Sequence, residues 1–113
     1  MAYDVQAAME RIPLPAYRSA LRRGDMEAEP DSYVVYAIGE TPIDFFDDQP
    51  HGMILRPFLH LCTRSDPLLL IGKIEEEMEK EGFALTNRQD AYDEDADLYI
   101  TQTEWQGVRR DGI

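Results

Sequence analysis

Carboxylates at regular spacing are the first chemistry that the sequence offers. In DAYDEDADLYITQTE, Asp90 to Glu104, they fall at Asp93, Asp95 and Asp97, with Ile100 at the eighth place of a twelve-residue window and Glu104 at the last. A calcium loop needs oxygen ligands at its first, third, fifth and twelfth positions, because calcium takes six to eight hard oxygens. It also turns sharply at its sixth position, where glycine supplies a positive φ. Here that position is Leu98, for which left-handed backbone is costly. LYITQTEW, followed by Gly107, has the β-branched and aromatic content of a strand rather than of the second helix of an EF-hand. The sequence predicts an acidic turn feeding a strand.

Asp44, Asp47 and Asp48 in PIDFFDD raise a second chemistry, magnesium-dependent nuclease action, since paired carboxylates hold the metals of phosphoryl transfer. With 23 acidic residues among 113, neighbouring carboxylates arise by chance, and no lysine or histidine completes a site around these three. A solvated turn is the favoured reading. His51 and His60 lack cysteine or carboxylate at zinc spacing, and His60 reads as a partly buried or interface residue of a strand. Cys62, the single cysteine, excludes an internal disulfide and reads as a buried structural thiol within FLHLCT. There is no phosphate loop, nucleophile elbow or glycine fingerprint, so no catalytic residue, metal ligand or cofactor site is assigned.

The elements that carry these residues follow from periodicity. Val5, Ala8, Met9 and Ile12 share one helical face, with Asp4 at the N-terminal end and Pro13 and Pro15 beyond. A brief extended segment is expected in LPAYRSAL, then a loop over about residues 19–31. SYVVYAIG predicts a strand from Tyr33 to Ile38, apolar on both faces and so covered on both, by a helix and by a neighbouring subunit. GETPIDFFDDQPHG reads as a turn and irregular connection in which Ile43, Phe45 and Phe46 can add a short strand. Met53 to Thr63 predicts a long strand, placed at an edge or bulge because Pro57 cannot donate to a ladder.

SDPLLLIGKIEEEMEKEGF predicts the main helix. Ser65 or Asp66 is its N-cap, Pro67 its first position, and Ile71, Ile74 and Met78 its buried stripe; Gly82 and Phe83 close it as a Schellman cap. Glu76 and Lys80 form a favourable outer pair, whereas Glu79 and Glu81 sit unfavourably near the negative end of the helix dipole. FALTNR reads as a short strand, and LYITQTEWQ as the last, with Tyr99, Thr101, Thr103 and Trp105 on one face. Grouped strands with a helix over one face predict an α+β fold: a mostly antiparallel sheet, one main helix packed on one face and a short N-terminal helix.

The length of 113 residues predicts one domain over 1–113, with a flexible C-terminus at 107–113. No apolar run approaches the roughly twenty residues of a membrane span, and MAYDVQAAMERIP lacks the pattern of a secretory signal, so cytoplasmic synthesis without a membrane partner is expected. A net charge of −12 disfavours nucleic-acid binding, which needs clustered Lys and Arg.

YVVYAIGETPIDFFDD, then LRPFLHLCTRSDPLLLIGKIEEEMEKEGF, then YDEDADLYITQTEW resembles the small tail-completion proteins of long-tailed bacteriophages and prophages, also called tail terminator or tail-to-head joining proteins. The likeness covers about residues 30–106 and lies in the order and spacing of elements; Arg64 fits the basic residue that follows the long strand, while Pro57 and the loop RSALRRGDMEAEP depart from the pattern. It implies a small α+β domain, six copies of which form a ring. That ring would cap the tail tube and contact the major tail tube protein and the head-side connector, in the virion tail and, during assembly, in the host cytoplasm. It implies no enzymatic activity. The same likeness extends to head-closure and minor tail components.

Arg22, Arg23, Arg109 and Arg110 lie in segments read as loop and tail. Together with Arg64 and the helix face of Glu76 and Glu77, they are the candidate subunit interface, with ordinary solvation as the equal alternative. A different class of function is an acidic DNA-mimic inhibitor that occupies the basic groove of a nucleic-acid-binding enzyme.

Overall fold

Two apolar stripes of different period build the molecule, one helical and one alternating. A computed structural model describes residues 3–18 and 30–110. Along the chain lie α1 (Val5–Glu10), β1 (Ala16–Arg18), β2 (Ser32–Phe46), β3 (Gln49–Thr63), α2 (Leu68–Lys80), β4 (Ala84–Asp93) and β5 (Leu98–Arg110). The five strands form one sheet in the order β1-β2-β3-β5-β4, antiparallel except for the parallel pair β1 and β2. The fold is therefore mixed helix and strand, with a mostly antiparallel sheet and two helices among the described residues.

The core follows the pleat. Val34 lies opposite Leu61, and Leu61 opposite Thr101; one pleat along, Tyr36 faces Leu59 and Leu59 faces Thr103. Val34, Tyr36, Leu59 and Leu61, with Leu55 and Trp105, join Val5, Ala8 and Met9 of α1 and Ile71, Ile74 and Met78 of α2 in one buried cluster. Val5, Met9, Ile71, Ile74 and Met78 each contribute about 1.5–3 kcal/mol when taken out of water. The threonines interrupt the apolar rows without leaving orphaned groups, since Thr103 Oγ1 donates to Leu59 O (3.3 Å) and accepts from Trp105 Nε1 (2.9 Å). On the opposite side a small cluster of Tyr33, Cys62 and Leu98 is backed by Tyr17, whereas Ala37, Phe58 and His60 are exposed there. His60 is thus not partly buried.

Local signals place both helices. Asp4 caps α1, its Oδ1 accepting from Ala7 N at 3.1 Å. The main helix begins at Leu68, one residue later than the proline signal indicates, and Asp66 Oδ1 accepts the Leu68 N–H at 3.0 Å. Its end is a Schellman cap: Phe83 N donates to Met78 O, Gly82 N to Glu79 O, and Gly82 carries the φ of 99° that the motif requires.

The strands depart most from expectation. β2 does not stop at Ile38 but runs 15 residues to Phe46, and the expected irregular connection is instead a continuous hairpin. Its turn is the pair Asp47-Asp48, both with positive φ (52° and 62°), the handedness that matches the twist of a two-residue hairpin loop. At about 3.3 Å per residue such a strand covers about 50 Å, close to the 52 Å longest extent of the molecule. The hairpin therefore spans it from pole to pole.

Pro57 is central rather than at an edge, because β3 lies between β2 and β5. The pairing to β5 lapses at Arg56 and Pro57, between Leu55↔Gly107 and Phe58↔Glu104, while β2 continues to pair through Ile38↔Pro57. The missing N–H is thus absorbed by a gap on one side only. The tail expected to be flexible from residue 107 is strand through Arg110. Gly107 is buried there, and a Cβ at this position would lie 2.8 Å from ring carbons of both Phe83 and Tyr3. Gly107→Ala is expected to lower stability by about 1–3 kcal/mol through overpacking. Urea denaturation checks this as a lowered midpoint with unchanged slope, and an unchanged midpoint would show that the rings yield freely.

Candidate functional site

The residues singled out for chemistry are scattered by the fold into different surroundings. Asp93 Oδ1 accepts the N–H groups of Asp95 and Ala96, closing a hairpin turn between β4 and β5. Strands flank this turn on both sides, so the helix pair of an EF-hand is absent from it. Tyr92 donates its hydroxyl to Asp97, and that bond raises the tyrosine pKa by favouring its protonated form. Asp44 departs from β geometry with φ 57° and accepts from Arg110 Nε at 2.9 Å, while Asp47 and Asp48 form the turn of the long hairpin. Among the described residues no three of His, Cys, Asp and Glu converge as metal ligands.

The candidate interface residues that are described do not form one patch. Arg22 and Arg23 lie outside the described residues. Arg64 is at the Thr63 end of the sheet, its backbone N–H bonded to Asp31 O and its guanidinium 3.9 Å from the Asp31 carboxylate. Arg109 and Arg110 belong to β5 opposite Met53 and Gly52, toward the other end. Arg109 rims a shallow pocket of about 250 Å³ with Arg18, Glu40, Ile38 and Leu55. Glu76 is exposed on α2 and pairs with Lys73 and Lys80 (3.8 and 3.3 Å).

Glu77 differs from its neighbour. It is buried, and its carboxylate accepts from Arg11 Nε, Lys73 Nζ (3.0 Å) and Lys80 Nζ (3.1 Å). These bonds, led by Arg11, hold its pKa at about 2, well below the ordinary 4.5, and raise those of Arg11 and Lys80 in return. Within the protomer this face of α2 is thus already engaged at Glu77. Glu81, read as a surface charge opposing the helix dipole, is buried too. Its side chain accepts from Arg11 Nη2 at 2.7 Å and from Asp4 N at 3.1 Å, and its carbonyl accepts from Tyr3 N at 2.9 Å. One glutamate therefore holds both ends of α1.

This clamp escaped sequence reasoning, although a signal was present. Glu77 follows Ile74 by three residues and precedes Met78, so it falls on the apolar stripe, where a carboxylate needs a cation partner. Equally unforeseen are the exposed apolar residues at the two poles. Phe45 and Phe46 at the hairpin tip are 61% and 52% exposed. At the far end Leu68, Leu69, Tyr92 and Tyr99 are open to solvent.

No protein-family model matches the sequence, and no curated protein matches it significantly.

Because the Glu77 pKa is lower folded (about 2) than its ordinary 4.5, its stabilisation is complete above about pH 4.5 and fades as the pH falls toward 2. Melting temperatures across this window are expected to fall more steeply for the native chain than for Glu77→Gln, which starts less stable at neutral pH. Parallel profiles would contradict the clamp.

Proposed function

We propose that this chain is a non-enzymatic structural protein of a phage or prophage tail, acting as a ring of six copies that ends the tail tube and joins it to the head-side connector. The observation that carries the reading is the β2–β3 hairpin. It continues past Met53, which packs on the buried cluster, through Gly52 to Gln49, and it ends in exposed Phe45 and Phe46. Phe46 leans edge-on against His51 (5.2 Å), yet both rings keep more than half their surface in water, whereas a subunit that docks them in a neighbour gains the area they bury. In this reading α2 is the main helix laid over one face of the sheet, and the arm is left free for assembly. The order of elements that resembles tail-completion proteins supports the same conclusion.

Charge gives the ring a second property. Copies at −12 each repel one another, and carboxylates facing a channel would repel DNA phosphates, so that DNA passes without adhering. The DNA-mimic reading needs rows of carboxylates free to replace phosphates. On α2 those rows are broken by Lys73 and Lys80, which pair with Glu76 and Glu77. The tail role is therefore the better supported. Head-closure and minor tail components remain its nearest relatives in function.

Assembly should respond to ions. Between about 0.01 M and 0.15 M salt the Debye length falls from about 30 Å to about 8 Å, which removes most of the repulsion between copies. Light scattering is expected to move from the 13.0 kDa chain mass toward six times that value as salt or millimolar magnesium is added. A monomer at every salt and protein concentration, combined with inhibition of a DNA-binding enzyme, would favour the mimic instead.

A further inference from the structure

The sheet ends in two edges of different character. On the β2 side, β1 covers Val34–Tyr36. Beyond it β2 carries Pro42, which has no N–H to offer, and Asp44, whose φ of 57° breaks the ladder geometry. On the other side β4 is the last strand, paired to β5, and among the described residues no strand meets its outer edge. From Ala84 to Tyr92 every residue of β4 is exposed. The register shifts only between Leu85 and Asn87, so Asn87–Asp93 is a regular strand without Pro or Gly. Such an edge offers a row of backbone donors and acceptors to an incoming strand.

Charge selects what that strand can be. Leu85, Arg88, Asp90 and Tyr92 pair with Trp105, Thr103, Thr101 and Tyr99, which puts them on the face of the sheet that carries the helices. Arg88, the one cation of β4, is held there by Glu75 of α2 (3.5 Å) and by Asp90 (3.6 Å). Glu79 is exposed one helical turn beyond Glu75, and Asp93, Glu94 and Asp95 follow at the end of the strand. A second copy of β4 would set these acids against their own duplicates, whereas a strand with Lys or Arg at alternate positions would be drawn to them.

We propose that β4 accepts a basic, extended segment of another protein as a further strand of the sheet, laddered along Asn87–Asp93, with its Lys or Arg side chains meeting Asp90 and Glu75 on the helix-bearing face. Backbone pairing supplies the affinity, and the alternating cations supply the choice of partner. On the bare face the added strand lies beside Asn87, Gln89 and Ala91, which ask for no charge. The inference goes beyond the tail reading and does not rest on it, because the open edge belongs to each single copy.

The test uses the whole chain and a short synthetic peptide in which Lys alternates with Val and Thr. Controls are the same peptide N-methylated throughout, which keeps its charge but cannot donate to a ladder, and a version with Glu in place of Lys. Binding is followed by fluorescence anisotropy and by amide hydrogen exchange. The Lys peptide is expected to bind at least about tenfold more tightly than either control, and to slow exchange several-fold in β4 while leaving the hairpin tip unchanged. Asp90→Asn, which keeps an acceptor for the Thr101 hydroxyl, is expected to weaken binding several-fold, and Asp48→Asn at the hairpin turn to leave it unaltered. Failure of the Lys peptide to bind would overturn the proposal. Equal binding of the methylated peptide, or slowed exchange spread over the whole acidic surface, would show charge adsorption and overturn it too. Protection of β4 that rises with protein concentration and needs no peptide would make a second copy the occupant, with the same consequence.

Discussion

Two buried glutamates set the geometry on which the rest of the structure depends. α1 is only six residues long, too short to persist on its own helical propensity. Its position comes from Glu81, which holds the backbone at Asp4 and the guanidinium of Arg11, and from Glu77, which takes the remaining reach of that guanidinium. Burial of a carboxylate is expensive unless cations and hydrogen bonds meet it. Here Arg11, Lys73 and Lys80 converge on Glu77, and no buried polar side-chain atom among the described residues lacks a partner. With the helices tied to each other, Gly107 lets Phe83 and Tyr3 close against β5.

Beyond Gly52, β2 and β3 continue as a short two-stranded ribbon, an arrangement that is only marginally stable alone. Its base pairs with β5 out to Gly52↔Arg110, and the Asp44–Arg110 ion pair ties the two elements close to where that pairing ends. The arm is thus an extension of the sheet rather than a loop, which makes it suited to positioning side chains at a fixed distance from the core. In the proposed assembly the exposed aromatics at this tip would supply contact area, and the excess of negative charge would restrain premature association.

Much of this was legible in the sequence where local rules act. The α1 stripe, the α2 stripe and the Gly82-Phe83 cap depend on residues within a few positions of one another, and each lies where its pattern places it. The long hairpin was not legible, because Asp47-Asp48 lacks the glycine that marks a two-residue turn, and Asp44 and Pro57 are both unusual in strands. The place of Pro57 depends on β5, some forty residues further along the chain, where a gap opens opposite Trp105 and Gln106. Arg109 and Arg110 read as tail because they are polar and terminal, yet pairing with β3 holds them in the sheet. The split in role between Glu76 and Glu77 depends on Arg11, 66 residues away, beyond the range of any local pattern.

The proposed role of this chain is to complete a tubular assembly. The most direct measurement is electron microscopy of particles made by a phage or lysogen from which its coding sequence has been deleted. The account predicts filled heads without tails and tails of irregular length without heads, with joining restored when the protein is supplied in trans. Normal-length tails attached to heads in the deletion would contradict it.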